Sequence, residues 1–365
     1  MYDQVRGDIF FLMFYASVAM LALIACCYLL FRRGNAFAPD VTPPVRLRRW
    51  TAAFFATIAL CHLWYLPTYF LTSPDDILLC NMITGLLDCM TAIPLAIILL
   101  FTMLQDRRRP LWPVAVMIVP LIIGLAWCVA SRSDALMPVL FVYFLLMCSG
   151  LTIYMIRAII QYGRWLRDNY ADLEHKEVWQ SFVVLAIILL VYAIYSLDIG
   201  ELIYEYVMEV INIVLICYLL WRVETLSDLS IAEEETVAME NVEDNDLSLS
   251  MRNNIGPLLK QHCEDGQLYL QYDISVSQLA QTIGTNRLYL SQHFSNQGIT
   301  YNAYINGLRI QHFIKLYHEM AENHQPVSAQ QLAYQSGFRN YNTFSTAFKK
   351  MKGMTATEWM QLAKL

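Results

Sequence analysis

Charged side chains are scarce in this sequence, where Asp, Glu, Lys and Arg supply 15% of the 365 residues. Soluble globular proteins carry about 25%. Apolar residues instead reach 57%, and the mean hydropathy is +0.40. This balance excludes a wholly soluble globular protein and predicts that a large part of the chain lies in lipid.

Paired cysteines are missing as well. Nine cysteines are present, but none forms a Cys-X-X-Cys motif or the Cys/His spacing of a metal site. All except Cys263 lie in long apolar runs, where a free thiol behaves as a small hydrophobic side chain. The polar C-terminal part has no P-loop, catalytic triad or paired catalytic carboxylates. We therefore expect no disulfide framework, no metal site, no cofactor and no enzymatic activity.

Long apolar runs are what the sequence does contain. A helix needs about 20 mostly apolar residues to cross roughly 30 Å of hydrocarbon, and such runs occur near 9–31, 50–71, 77–104, 111–130, 136–160, 181–197 and 199–221. Since lipid offers no partners for free backbone groups, these runs predict an all-α, polytopic transmembrane bundle. The last two runs are almost continuous, so both six and seven spans fit. Pro94 predicts a kink in the third run, and Pro113 and Pro120 predict kinks in the fourth.

Basic residues between the runs are unevenly distributed. Loops after even-numbered runs carry Arg132 alone. Loops after odd-numbered runs carry Arg32, Arg33, Arg46, Arg48, Arg49, Arg107, Arg108, Arg109, Arg157, Arg164, Arg167 and Lys176. The positive-inside rule then places the N-terminus on the outer side of the membrane, and seven spans put the C-terminal part in the cytoplasm. The first run is longer than the core of a signal peptide, so we expect it to remain as an anchor.

The last apolar run carries acids at helical spacing. Its acidic stripe consists of Asp198, Glu201, Glu205 and Glu209. Charge in hydrocarbon is costly and therefore often functional. The stripe predicts signal sensing, through a cavity for a cationic or hydrogen-bonding ligand or through a proton-linked switch. The favoured interpretation is nevertheless a hydrated helix end with interhelical hydrogen bonds, and for His62 and Asp88 packing hydrogen bonds are favoured likewise.

Charge is arranged in blocks along the remaining chain. Residues 222–250 contain one Arg against nine acids, whereas residues 251–365 carry ten Lys and Arg against six acids. Such blocks indicate separate modules. We predict a transmembrane domain at 1–221, an acidic cytoplasmic linker at 222–250 and a mildly basic domain at 251–365. The linker either extends the last helix or is loose.

From residue 274 onward the pattern changes to short amphipathic helices. Gly284 ends the first helix, Thr285 or Asn286 caps the second, and Leu290 and Phe294 face inward. A helix, a glycine-containing turn and a second helix are typical of a helix-turn-helix. One such unit alone is weak evidence, because many helical hairpins share the pattern.

The arrangement then recurs. Gly337 lies in the second turn, Asn340 caps the following helix, and Phe344 and Phe348 face inward. A longer amphipathic helix at 301–319 connects the two units. Two helix-turn-helix units on one connecting helix are a far more specific pattern than one.

Residues 333–355 read AYQSGFRNYNTFSTAFKKMKGMT, and the characteristic positions are Ala333, Gly337, Phe338, Phe344, Phe348, Lys349, Lys350, Gly353 and Thr355. Upstream positions of the same kind are Leu279, Ala280, Leu290, Phe294, Gly298, Tyr301, Arg309 and Ile310. This pattern resembles the AraC family of transcription regulators, over residues 274–365 only. Departures from the family are Ala356 in place of Pro, Trp359 and Met360 in place of Tyr-Arg, and Phe313 in place of Ala.

The resemblance implies that each second helix enters a major groove of DNA, with the two about one helical turn, roughly 34 Å, apart. The side chains left to face DNA are Asn286, Arg287, Leu288, Ser291, Gln292, Arg339, Tyr341, Asn342, Ser345 and Thr346. Amides and hydroxyls read base edges. Lys349 and Lys350 are expected to hold phosphates, with an ordinary solvated face as the alternative, and Arg309 is expected to be a scaffold residue.

The sequence therefore predicts a sequence-specific transcription regulator tethered to a bacterial inner membrane, whose helix bundle senses a small-molecule or envelope signal. Its predicted partners are double-stranded DNA, the lipid bilayer and RNA polymerase, and a homodimer stays open. The alternative is a membrane transporter or enzyme with a regulatory helix-turn-helix tail, for which the acidic stripe is the best support.

Overall fold

The computed structural model describes residues 7–32, 34–39, 41–195, 202–229, 255–323 and 326–363. Within these ranges the chain is helical, with one isolated β-bridge between Tyr170 and Ser275, so the predicted all-α class is confirmed. The helices are α1 (Ile9–Phe31), α2 (Val45–Phe70), α3 (Pro74–Met90), α4 (Ala92–Met103), α5 (Trp112–Ser131), α6 (Met137–Asn169), α7 (Trp179–Tyr195), α8 (Leu202–Thr225), α9 (Val276–Thr282), α10 (Arg287–Asn296), α11 (Tyr301–Glu322), α12 (Ala329–Gln335), α13 (Tyr341–Lys352) and α14 (Ala356–Leu362).

Contacts divide the chain into two units. The first runs up to Tyr162 and includes Val178–Leu229, and the second combines Gly163–Glu177 with the described residues from 255 onward. The second unit also contains a π-helical stretch at Leu259–Asp265 and a 3₁₀ turn at Leu268–Leu270.

The first unit is a bundle of apolar helices. Six helical stretches of the described residues are long and apolar enough to cross a membrane, namely Ile9–Phe31, Val45–Phe70, Pro74–Met103, Trp112–Ser131, Met137–Asn169 and Ile203–Thr225. They coincide with six of the seven predicted runs, which confirms the polytopic bundle. The remaining run forms α7, whose 17 described residues reach about 26 Å at 1.5 Å per residue.

The pairing of α7 with α8 bears on the number of spans. The Arg222 Nε donates to the Ser181 hydroxyl at 2.7 Å. Ser181 lies near the start of α7 and Arg222 near the end of α8, so these consecutive helices are antiparallel. α7 therefore runs back along α8 as a seventh span would.

Large apolar side chains of the first unit point away from the protein. Phe10, Phe31 and Leu146 expose 80%, 78% and 67% of their surface. Apolar surface in water costs about 25 cal/mol per Å², and soluble proteins rarely expose it over more than a few hundred Å². Contact with lipid tails removes that cost and accounts for the outward-facing apolar surface.

The third span is interrupted in its middle. α3 ends at Met90 and α4 begins at Ala92, with Thr91 at φ −127° and ψ −69°. Pro94 has no N–H to donate to the carbonyl of Met90 one turn earlier. The kink predicted from Pro94 is therefore a break between two helices. The kink predicted from Pro113 is wrong, because Pro113 lies in the first turn of α5, where a proline is tolerated.

The first residues of the predicted acidic linker contact the first unit through an ion pair and a hydrogen bond. α8 continues to Thr225, and the buried Glu224 carboxylate pairs with Arg48 at 3.1 Å. The Gln105 side chain accepts the N–H of Leu229 at 2.9 Å. The helical extension that the sequence left open is thus present up to Thr225, and residues 230–254 lie outside the described ranges.

Two apolar cores lie along α11 in the second unit. The first core gathers Leu279, Leu290, Phe294, Tyr301 and Ile305, and the second Ile310, Phe313, Tyr317, Phe344 and Phe348. All four side chains predicted to face inward on the second helices are at most 2% exposed. Phe313, which replaces the alanine of the family pattern, packs in the second core, where its ring centre lies 4.6 Å from that of Phe344.

Arg309 joins the two cores and is only 1% exposed. Its Nε donates to the carbonyl of Tyr269 at 2.8 Å and its Nη2 to that of Gln271 at 2.6 Å. The guanidinium also lies 5.5 Å from the centre of the Phe338 ring, in the turn of the second helix-turn-helix. Burial lowers the pKa of Arg309 to about 10, so the side chain stays charged at neutral pH. These contacts agree with the expected scaffold role.

Gly337 brings the same two parts together. Its φ of +88° lies in the left-handed region, and an added Cβ would approach the Leu270 Cα to 2.8 Å. Glycine is therefore required where the second turn packs on the loop that precedes the first helix-turn-helix.

Candidate nucleic-acid interface

α9 and α10 form the first helix-turn-helix. Ser275 and Gln278 cap α9 reciprocally, with the two hydrogen bonds at 2.9 and 3.2 Å. The turn passes through Gly284 at φ +73°. Asn286 then caps α10 by accepting the N–H of Tyr289 at 2.9 Å. Of the two caps that the sequence left open, Asn286 is the one that bonds the start of the helix.

α12 and α13 repeat the arrangement. Asn340 caps α13 by accepting the N–H of Thr343 at 2.7 Å, and Gly353 ends it at φ +76°. The phenylalanines of α13 enter the second core, which leaves the opposite face to solvent. Lys349 and Lys350 lie in the last turn, where their positive charge interacts favourably with the negative end of the helix dipole.

The twelve residues predicted to contact DNA lie on the outer faces or at the N-terminal ends of α10 and α13. Seven are exposed: Leu288, Gln292, Arg339, Asn342, Thr346, Lys349 and Lys350. Five are half-buried: Asn286, Arg287, Ser291, Tyr341 and Ser345.

Three of the half-buried residues are engaged within the protein. The side-chain oxygen of Asn286 serves as the cap described above. The Tyr341 ring lies 5.6 Å from that of Phe344, and the Arg287 Nε donates to the Asn169 Oδ1 at 2.8 Å. The most accessible polar groups are therefore those of the exposed set.

Asn169 belongs to a part of the chain that the sequence placed in a loop of the membrane domain. We call Gly163–Glu177, the end of α6 and the loop after it, the junction segment, and it belongs to the second unit. A signal was present in the sequence, because the helical pattern continues past residue 160 and α6 reaches 33 residues, whereas about 20 suffice to cross a bilayer. The contact with Arg287, which lies 118 residues away, has no local signal in the sequence.

The described half of the acidic stripe lies inside the first unit. Glu209 Oε2 is 3.0 Å from Nε2 of His62 on α2, and both side chains are nearly fully buried. Glu205 accepts the Tyr69 hydroxyl at 2.9 Å. Residues of α2 and α8 are thus joined by two polar contacts. The other two members, Asp198 and Glu201, lie outside the described residues.

A hydrogen bond between His62 Nε2 and Glu209 Oε2, which are 3.0 Å apart, requires one proton between the two atoms. His62 Nδ1 is 2.7 Å from the carbonyl oxygen of Ile58, so Nδ1 carries a hydrogen. A neutral ring then needs a protonated Glu209, and a charged ring donates to a carboxylate. A buried histidine in such a pair is chemically able to act as a switch.

Asp88 has a plainer setting. It accepts the Tyr65 hydroxyl at 2.7 Å and the Cys61 thiol at 3.4 Å. These bonds join α3 to α2, in keeping with a packing role.

Two helix-turn-helix units on one connecting helix, with exposed amide, hydroxyl and ammonium groups on each second helix, define a DNA-binding domain. A family model described as a helix-turn-helix domain, of the AraC type, matches residues 279–361. The chain therefore carries the DNA-binding domain of an AraC-type transcription regulator, and the resemblance drawn from the sequence is confirmed. No curated protein and no solved structure matches the chain.

Proposed function

We propose that the chain is a membrane-tethered, sequence-specific transcription regulator whose helix bundle controls the AraC-type domain in the bacterial cytoplasm. The observation that carries this proposal is that six membrane-length apolar helices and a doubled helix-turn-helix lie on one chain. Such a protein needs no separate messenger between the membrane and DNA.

The cytoplasmic placement is supported by contacts at one end of the first unit. Asn35, after α1, donates to the carbonyl of Glu224 at 2.6 Å, and Gln105, after α4, binds the backbone of Leu229. The loops after the first and third spans and the chain leaving α8 thus lie at the same end. Those loops are rich in arginine, which favours the cytoplasm. A C-terminal reporter that is active only outside the cell would contradict this orientation.

DNA reading is assigned to the exposed faces of α10 and α13. Asn342 and Gln292 have the amide groups that pair with adenine, and Arg339 the guanidinium that pairs with guanine. Lys349 and Lys350 are assigned to phosphates. The test is selection of duplexes from a random pool by the full-length protein in lipid nanodiscs at moderate salt. Enrichment of a site with two half-sites is expected, and equal retention of all duplexes would refute sequence-specific binding.

Signal sensing is assigned to the acidic stripe, with His62 as the partner of Glu209. Because the pair is buried, replacing either partner removes the contact and leaves the other polar group buried without it. In cells with a promoter reporter, His62→Gln and Glu209→Gln are expected to abolish the response to the signal at unchanged protein levels. Asp88→Asn, in a half-buried hydrogen-bonded acid of the same bundle, is the matched control. Altered solute flux with unaltered promoter output would favour a transporter instead.

A further inference from the structure

The junction segment covers the N-terminal ends of two helices of the DNA-binding domain. Arg287 is the first residue of α10, and its guanidinium is bonded to Asn169. Asn302 is the second residue of α11, and its Nδ2 donates to the carbonyl of Ala171 at 2.6 Å. Helix N-termini are common phosphate-binding positions in complexes with DNA, because their N–H groups and dipole favour anions. Oxygen atoms of the junction segment thus accept hydrogen bonds from side chains at two helix N-termini, where DNA phosphates commonly bind.

The docking of the segment is built from several kinds of contact. Ala171 is fully buried in the first core, and its N–H donates to the carbonyl of Ile274 at 3.3 Å. The Lys176 Nζ, buried as well, lies 2.7 Å from the Asp273 carboxylate. Backbone pairing, apolar burial and an ion pair together define a specific interface within the second unit.

The same segment contains features that oppose permanent docking. Asp172 is 2% exposed, and its Oδ2 has no hydrogen-bond partner among the described residues. Burial of an oxygen without a donor costs free energy that undocking returns.

The charge of the segment bears on DNA rather than on docking. The segment has four acids against three Lys and Arg, so its net charge does not favour an approaching phosphate.

We propose that the junction segment is an autoinhibitory strap. Docked, it engages Arg287 and Asn302 in place of the phosphate backbone, and DNA binding by the first helix-turn-helix requires its release. The strap begins with the last residues of α6, a membrane-length helix, so displacement of α6 sets whether the strap is docked. This inference rests on the proposed DNA-binding function and adds the control of that function.

Hydrogen exchange of the full-length protein in nanodiscs tests the strap without any substitution. The buried, hydrogen-bonded segment is expected to be protected in the free protein. With a selected duplex bound, its exchange should accelerate about tenfold, because its contacts are lost, while α12 serves as the internal control. Protection that persists or increases with DNA bound would overturn the strap.

Two substitutions of one residue sharpen the test. Asn169→Ala removes the acceptor of Arg287 and should tighten binding to the selected duplex about three- to tenfold, the worth of one hydrogen bond. Asn169→Asp makes that bond charge-assisted and should weaken DNA binding. Asp168→Asn, next to it but exposed, controls for a change of charge.

The outcomes separate this inference from the proposed function. If neither the wild-type protein nor Asn169→Ala retains any duplex, DNA binding itself is refuted and the strap with it. If both bind equally and the junction segment stays protected, the strap alone is refuted.

Discussion

The two helix-turn-helix units share their caps, turns and buried phenylalanines, yet the surroundings of their second helices differ. On α13, Lys349 and Lys350 are exposed. On α10, the one guanidinium belongs to Arg287, which is half-buried and bonded to Asn169. If the proposed roles hold, the exposed lysines of the second helix-turn-helix are available to phosphates at all times, whereas the Arg287 guanidinium of the first helix-turn-helix is available only after Asn169 releases it.

The largest expected effect on stability concerns the turn glycines of the two helix-turn-helix units. Gly337→Ala should lower the free energy of unfolding by about 3 kcal/mol, from the left-handed backbone and the overlap with Leu270. Gly284→Ala should cost only about 1–2 kcal/mol, because an added Cβ there meets nothing within 4 Å. Thermal unfolding of the full-length variants measures both. Equal losses would show that the second turn does not depend on its contact with Leu270.

An intermediate effect separates the two kinds of DNA contact on α13. Asn342→Ala should weaken binding to the selected duplex by about 1–3 kcal/mol and relax preference at one base pair. Lys350→Ala should weaken binding to all duplexes alike and lower the salt dependence by about one counterion. Titrations of selected and scrambled duplexes at several salt concentrations measure both. An equal loss on both duplexes for Asn342→Ala would remove it from the base-reading set.

The smallest effect is expected at the capping boxes. Thr355 caps α14 with Glu358, whereas Ser275 caps α9 with the neutral Gln278. Hydrogen bonds from the backbone and side chain of Thr355 lower the pKa of Glu358 below its usual value of 4.5. A depressed pKa means that the stabilisation is present above the unfolded-state pKa and is lost as the pH falls through the folded-state value.

Acidification should therefore fray α14 and leave α9 unchanged. Hydrogen-exchange protection of the two helices, corrected for intrinsic rates at each pH, measures the difference. In Glu358→Gln the acid-dependent loss at α14 is expected to disappear. Loss of both helices at the same pH would point to global acid unfolding and against the cap.

Features that depend on near neighbours were predictable from the sequence. The caps Asn286 and Asn340, the inward phenylalanines and six of the spans follow from spacing and hydropathy over a few residues. The helical extension to Thr225 was left open, because its support is the tertiary pair between Glu224 and Arg48. Helical periodicity alone does not show such a pair.

Contacts between distant parts of the chain were not predictable in this way. His62 and Glu209 are 147 residues apart, and each looks like an isolated polar residue in an apolar run. The bond of Arg287 to Asn169 likewise joins segments with no shared pattern. Such pairs arise from the packing of whole helices, which leaves no local signal in the sequence.

The sharing of Arg309 and α11 by both cores has a consequence for operators. Because the two reading helices are carried on one connected body, capture of one half-site delivers the other helix to DNA at a high effective concentration. That gain vanishes when the half-sites are displaced by half a helical turn, since the second helix then faces the wrong side of the duplex. Under the proposed function, we therefore expect target promoters to be constrained by the spacing of their half-sites as well as by their base sequence.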